Sequence, residues 1–193
     1  VRDTDEMRLY AATLRAKSGD LDGAVGEVEA MLAEQPESDQ LLFNMGVVYG
    51  EADETEQAVS YMRRALEQNP DNASALNYIG YTWAERGINL DEAERMIVRA
   101  IELRPDDGYI VDSLGWIHYQ QGAFKAAVTY LERAVELRPA DPVINDHLGD
   151  AYWRAGRRQE ARYQWRRVLL LAPSPELRRA LERKLTAGLP AAP

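Results

Sequence analysis

Residues 108–141 read GYIVDSLGWIHYQQGAFKAAVTYLERAVELRPAD, and this stretch decides the fold. Apolar residues recur at helical spacing on both sides of Gly122-Ala-Phe, which is a turn segment. The pattern therefore predicts a first helix over Tyr109 to Gln121 and a second helix over Lys125 to Leu137. The dipeptide Asp141-Pro142 indicates the start of another helix, because Asp caps helix N-termini and Pro fits the first helical position.

The same unit repeats along most of the chain. Prolines stand at 36, 70, 105, 139 and 173, alanines at 24, 58, 93, 127 and 161, and glycines at 46, 80, 115 and 149. All three series advance by 34 or 35 residues, and a shared period in three residue types identifies an internal repeat. The predicted repeats, each a pair of helices, are 5–38, 39–72, 73–107, 108–141 and 142–175.

This repeat resembles the tetratricopeptide repeat (TPR) family. In the second repeat, the resemblance is carried by Leu42, Met45, Gly46, Tyr49, Ala58, Met62, Ala65 and Pro70. In the third repeat, it is carried by Leu76, Ile79, Gly80, Trp83, Ala93, Ile97, Ala100 and Pro105. It implies an all-α fold, a right-handed α-α superhelical solenoid of five helix pairs. The first repeat is degenerate: Arg8 stands where the family favours a large apolar residue, and Ala12 stands where it favours Gly.

The segments outside the repeats receive separate predictions. Residues 1–4 are predicted to be an N-terminal extension. Residues 176–186 are predicted to form a capping helix, since a solenoid needs a polar-faced cap over its last repeat. Residues 187–193 are rich in small residues and Pro, and we predict a disordered tail.

The composition argues against most catalytic chemistry. The 193 residues include no cysteine, and the two histidines, His118 and His147, have no His or Cys at helical spacing. We therefore predict no metal site and no cofactor. Phosphate-binding glycine loops and nucleophile elbows are also absent, so we predict no catalytic residue and expect a protein that is not an enzyme. No apolar window is long enough for this segment to insert into a membrane.

The net charge of −9 is unevenly distributed. Residues 154–184 hold ten Lys and Arg against three Asp and Glu, whereas residues 1–153 hold thirteen against twenty-nine. The basic end either solvates a terminal helix or forms a docking end. No nucleic acid partner is expected, because the body is acidic and Trp165 takes a repeat position that is buried in the family.

The family resemblance implies that the first helix of each pair lines a concave groove. Carried over to this sequence, the candidate ligand-binding residues are Asn77, Tyr81, Tyr109, Asp112, Trp116, Tyr119, Asp146, Asp150 and Trp153. Exposed aromatic residues beside fixed polar groups suit the recognition of a peptide. The alternative is that these aromatic residues pack between neighbouring helices.

Asn77, Asp112 and Asp146 share one register on successive first helices, which predicts a ladder of hydrogen-bond acceptors. The expected partner is a protein or peptide with basic or amide groups and apolar anchors. The groove is predicted to lack cations apart from Lys17 and Arg154 at its ends. We therefore argue against a terminal carboxylate as the ligand.

Several segments resemble a narrower group, the carboxy-terminal repeats of long proteobacterial TPR proteins. These segments are 77–85, 112–116, 145–153 and 160–165. Many members of the group are periplasmic proteins or exported lipoproteins, and some deliver a processing protease to its substrates. The resemblance favours an adaptor in the bacterial periplasm, anchored to the outer membrane in the full-length protein, over a cytoplasmic one. The alternative is a structural module that associates head to tail, with copies of itself or within a longer repeat array.

Overall fold

A computed structural model describes residues 2–190, with side chains described from Asp5 onward. These residues form eleven α-helices and no β-strand. The helices are α1 (Arg2–Lys17), α2 (Leu21–Glu34), α3 (Asp39–Glu51), α4 (Thr55–Gln68), α5 (Ala73–Arg86), α6 (Leu90–Leu103), α7 (Gly108–Gln120), α8 (Phe124–Leu137), α9 (Pro142–Arg154), α10 (Arg158–Leu170) and α11 (Pro175–Ala187).

The helices pack as successive pairs within two compact units, each larger than one repeat. The first unit ends at Ile79 and the second unit begins at Gly80. In the first unit α1 packs on α2 and α3 packs on α4, and α3 also contacts α1 and α2. In the second unit α7 packs on α8 and α9 packs on α10, and α9 also contacts α7 and α8. Within each unit, successive pairs therefore bury apolar surface against each other, as in a repeat protein. The predicted all-α fold of stacked helix pairs is confirmed.

Glycines in the first helices allow the second helices to approach closely. A Cβ atom at Gly115 would lie 2.6 Å from Leu131 Cγ, and one at Gly46 would lie 3.0 Å from the carbonyl oxygen of Ala58. A side chain has no room at either position. The packing thus offsets the cost of about 1 kcal/mol that Gly carries in a helix.

Side-chain caps fix the start of two helices near the C-terminal end. The carboxylate of Asp141 accepts a hydrogen bond of 2.9 Å from the backbone N–H of Val143 and thereby caps α9. The hydroxyl of Ser174 accepts one of 3.2 Å from the N–H of Leu177 and caps α11. Both helices have Pro at their first position, so the sequence marks these boundaries clearly.

The chain ends differ from their predictions. Helix α1 already begins at Arg2, inside the segment predicted to be an extension. After α11, Gly188 lies against the ring of Trp153, and the carbonyl of Pro190 accepts a hydrogen bond of 2.7 Å from Arg154. The prediction of disorder does not hold for residues 188–190, because they find partners on α9. Residues 191–193 lie outside the described part of the chain.

Candidate functional site

Helix α9 carries an unusual set of buried polar residues. Asn145, Asp146, His147 and Asp150 are at most 8% exposed, although three of them can carry charge. Burying a charged group is costly unless it is paired. Partners for this set come from α7, α10 and α11, and they define the site.

Asp112 on α7 and His147 on α9 form a buried ion pair. His147 Nδ1 lies 3.0 Å from each carboxylate oxygen of Asp112. Burial disfavours the charged imidazole, but the charge of Asp112 and its hydrogen bond outweigh that effect. The pKa of His147 is therefore raised above its ordinary value. This pair joins two successive first helices.

Lys184 on α11 neutralises the two aspartates of α9. Its Nζ lies 2.7 Å from an oxygen of Asp146 and 2.7 Å from an oxygen of Asp150, and Trp165 Nε1 donates a 2.9 Å hydrogen bond to Asp150. Burial and the charge of Asp146 raise the pKa of Asp150 to about 6, although Lys184 and Trp165 act in the opposite direction. Burial lowers the pKa of Lys184, but the two carboxylates outweigh burial and raise it overall.

These contacts correct two predictions about the groove. Asp112 and Asp146 are not free acceptors, because His147 and Lys184 already occupy their carboxylates. The prediction also left out a cation, since Lys184 of the capping helix reaches the carboxylate of Asp146. Asn77, the third member of the predicted ladder, belongs to the first unit, and its Oδ1 is buried without a partner among the described residues.

The aromatic residues of the site stack on one another. The ring centroid of Trp116 lies 4.1 Å from that of His147 and 4.5 Å from that of Tyr119, with both pairs nearly parallel. The ring of Tyr81 lies 6.5 Å from His147 and is tilted. Tyr81, Trp116 and Tyr119 are half-buried. They therefore pack between helices, as one of the two interpretations of the sequence expects, and they remain partly exposed.

The two remaining candidates behave differently. Tyr109 is 48% exposed, and the guanidinium of Arg138 lies 4.7 Å from its ring centroid. Trp153 is only 9% exposed, because Trp165 packs on it at 5.4 Å and Arg158 covers it at 4.6 Å. Tyr109 is available to a ligand, whereas Trp153 mainly supports the end of the array.

His147 and Lys184 are the residues that sequence reasoning missed as part of the site. A usable signal was present, because His147 follows Asp112 by 35 residues and Lys184 follows Asp150 by 34. A separation of about one repeat brings residues of α7 and α9, or of α9 and α11, close to each other. Opposite charges one period apart are therefore candidates for an ion pair, just as charges four residues apart are within one helix.

The described residues of the site form ion pairs and aromatic stacks. Among the described residues, no group of three His, Asp or Glu side chains is placed to bind a metal ion. The part of the chain that the structure describes also has no helix long and apolar enough to cross a bilayer. Trp165 is fully buried, as its repeat position predicts, so it is not available to stack on a nucleic acid base.

Two family models match the chain. One described as a tetratricopeptide repeat matches residues 15–77, and one described as a TPR repeat matches residues 115–156. Together they span more than half of the chain.

Two curated relatives are similar in sequence. A TPR repeat-containing protein of Pseudomonas aeruginosa is 34% identical over 126 residues, which are 65% of this chain and 21% of that protein. The photosystem I assembly protein Ycf3 of Acaryochloris marina is 29% identical over 123 residues, which are 55% of this chain and 74% of that protein. The chain thus spans only about a fifth of the length of the Pseudomonas relative.

Solved structures show the same fold at low identity. The thermophilic TPR protein TTC0263 of Thermus thermophilus is 20% identical, with a TM-score of 0.76 over 94% of this chain and 98% of that one. A structure of MamA is also 20% identical, with a TM-score of 0.66 over all of both chains. The repeat period, the stacked helix pairs and these matches lead to one conclusion: the chain belongs to the tetratricopeptide repeat family.

Proposed function

We propose that this chain is a non-catalytic adaptor that binds a segment of a partner protein on the first-helix face of its second unit. Membership in the TPR family supports a protein-interaction scaffold. The observation that carries the proposal is the row of partly exposed aromatic residues Tyr81, Trp116 and Tyr119, with the more exposed Tyr109 nearby in the sequence. Such side chains are frequent anchors in interfaces.

The buried ion pairs explain why this aromatic surface is suited to binding. Trp116 stacks on His147, which is held by Asp112, so the ring is fixed before any ligand arrives. A rigid surface loses little conformational entropy on binding. The aspartates that the sequence suggested as ligand contacts therefore act mainly as supports for the aromatic residues.

The partner that fits this surface is a segment with apolar anchors and basic or amide groups. Burial, together with the carboxylate of Glu85, raises the pKa of Tyr81 and keeps its hydroxyl protonated. Glu85 itself is exposed and can receive a basic group from the ligand. The ligand would lie across the stacked rings with its cationic group near Glu85.

The proposed setting is the bacterial envelope, where the protein would bring a protease or similar enzyme to its substrates. The similarity to a TPR protein of Pseudomonas aeruginosa supports a relation to the proteobacterial TPR proteins. Ycf3, by its name, is an assembly protein, and this supports a role in bringing proteins together. No direct membrane insertion by this segment is part of the proposal.

The experiment is affinity capture from envelope and cytosolic extracts, followed by titration with the purified partner. We expect Tyr109→Ala combined with Glu85→Lys to weaken binding at least ~10-fold, because both side chains are exposed and their loss leaves the core intact. Tyr163→Ala is the matched control, since Tyr163 is 69% exposed on α10. Equal affinity of the double variant and the native chain would refute binding on this face.

A second candidate function, head-to-tail self-association, rests on the separation of charge along the chain. Residues 154–184 carry ten basic and three acidic residues, whereas residues 1–153 carry an excess of acidic ones. Association of this kind weakens with salt, because exposed charges are screened. A monomer in light scattering at low salt and high concentration would exclude it.

A further inference from the structure

Residues 188–190 leave α11 and lie back against α9. Gly188 ends the helix with a φ of 75°, which residues with a side chain rarely adopt, and its N–H donates a 2.8 Å hydrogen bond to the carbonyl of Lys184. A Cβ atom at Gly188 would overlap the ring of Trp153. The turn and the close approach therefore both require glycine here. We call residues 188–190 the returning segment.

The returning segment makes one apolar and one polar contact. Leu189 packs against the apolar cluster that includes Trp153 and Leu181, and it remains partly exposed. The carbonyl oxygen of Pro190 accepts the 2.7 Å hydrogen bond from Arg154. The segment has no helical structure, so it lies on α9 as a short peptide ligand would.

This contact lies at the end of the aromatic surface to which we assign partner binding. Arg154 Nε donates a 3.2 Å hydrogen bond to the hydroxyl of Tyr119, whose ring stacks on Trp116. Trp153 and Arg154 also stand at repeat positions that the family resemblance assigns to the groove. The returning segment therefore occupies surface that continues the proposed binding face.

Arg154 is suited to hold a ligand at this place. No carboxylate among the described residues forms an ion pair with it, and its hydrogen bonds go to a phenol and to a peptide carbonyl. Arg154 also lines a cleft of about 570 Å³ beside the turn between α7 and α8, together with Phe124 and Ala155. A longer segment has room to continue from Arg154 into this cleft.

We propose that Trp153 and Arg154 form a subsite of the binding face for a non-helical partner segment, and that the returning segment holds this subsite in the free chain. The partner that fits presents a branched apolar side chain where Leu189 lies and, one residue later, a main-chain carbonyl to Arg154. The role of the partner rests on the proposed function. Occupancy of the subsite by the returning segment is tested without a partner.

The returning segment acts as a competitor of the partner. Its contacts are few and partly exposed, and such segments open more readily than the helices on which they pack. A ligand binds only the molecules in which the subsite is open, so its apparent dissociation constant is the intrinsic one divided by the open fraction. A segment docked in about nine-tenths of the molecules thus weakens partner binding about 10-fold.

The first measurement compares NMR spectra of the native chain and of Leu189→Asp. A charged side chain cannot pack on the apolar cluster, so the returning segment should leave α9. We expect the indole N–H signal of Trp153 and the Nε–H signal of Arg154 to shift. The amides of the returning segment should show motion on the nanosecond timescale.

The matched control is Thr186→Asp, which adds the same charge to an exposed position in the last turn of α11. It should leave the signals of Trp153 and Arg154 in place. Hydrogen exchange in α11 checks that Leu189→Asp keeps the helix intact. If it does not, Gly188→Ala displaces the segment by another route, because the φ of Gly188 and the ring of Trp153 both disfavour a side chain.

The second measurement supplies the segment as a separate peptide. The probe is a peptide of residues 186–193, acetylated and amidated, added to the Leu189→Asp chain. With an effective concentration of about 10 mM for a tethered segment, nine-tenths docking corresponds to a dissociation constant of about 1 mM. We expect the signal of Trp153 to return toward its native position at such concentrations. A peptide with Asp in place of Leu189 should have no effect, nor should the native peptide on a chain that also carries Arg154→Ala.

Two results would overturn the subsite. One is a Leu189→Asp spectrum in which Trp153 and Arg154 keep their native signals. The other is no response of the Leu189→Asp chain to the peptide up to about 10 mM, which would make the contact a purely structural one.

The competition has its own test, with a partner isolated by affinity capture. Leu189→Asp should bind that partner about 10-fold more tightly than the native chain does. Equal or weaker binding would overturn the competition. If capture yields no partner, the proposed function fails, whereas the two NMR measurements still decide whether the subsite exists.

Discussion

Replacing Lys184 with Met tests whether the capping helix is held by charge. The change leaves Asp146 and Asp150 without their cation, and their side chains are only 12% and 10% exposed. Removing one member of a buried ion pair typically costs about 3–5 kcal/mol. We therefore expect Lys184→Met to lower the free energy of unfolding of the second unit by about 3 kcal/mol or more at pH 8.

The loss should depend strongly on pH. A buried carboxylate without a cation can avoid its charge by binding a proton, and each pH unit changes that cost by about 1.36 kcal/mol. Lowering the pH from 8 to 5.5 can therefore restore up to about 3 kcal/mol. The difference in stability between the variant and the native chain should therefore be smaller at pH 5.5 than at pH 8, although the native chain also gains some stability at pH 5.5.

The assay is urea unfolding at both pH values, followed by the fluorescence of the tryptophans and by hydrogen exchange in α11. Trp165 is a suitable local reporter, because it donates a hydrogen bond to Asp150. Hydrogen exchange is needed because repeat arrays can unfold in parts. Arg183→Met is the matched control, since Arg183 is exposed on the same helix, and its effect should stay within about 0.5 kcal/mol. An equal loss for Lys184→Met at pH 8 and pH 5.5 would refute the reasoning.

Three further predictions concern the same structure. In the native chain, the second unit should become more stable as the pH falls from 8 toward 5.5, and its melting temperature measures this change. The raised pKa of His147 adds stability that is lost as the pH rises through that pKa. Asp150, with a pKa of about 6, also binds its proton more readily in the folded chain than in the unfolded chain. Asp112→Asn should lower the pKa of His147 relative to the native chain, because it removes a carboxylate that raises this pKa while burial remains; NMR titration measures the change. Gly115→Ala should destabilise by about 1–3 kcal/mol through overpacking, whereas Gly26→Ala, in a helix with open space around it, should stabilise by up to about 1 kcal/mol in the same denaturation assay.

The candidate site was only partly predictable from the sequence. Tyr81, Trp116 and Tyr119 were assigned to the first-helix face, and the structure places them together as half-buried rings. Asp112 and Asp146 were expected to be open acceptors, but each is paired. A single-repeat pattern describes which side of a helix a residue occupies. It does not say which charge of the next helix lies opposite.

The sequence by itself determined the fold. The signals are local or periodic: a period of about 34 residues, a Pro after each second helix and a Gly inside four first helices. Each acts through backbone conformation or through helix contact within one repeat. The tertiary structure alone decided the chemistry of the site. Lys184 reaches Asp146 and Asp150 only because α11 continues the stack beside α9, and burial then makes pairing of these charges necessary.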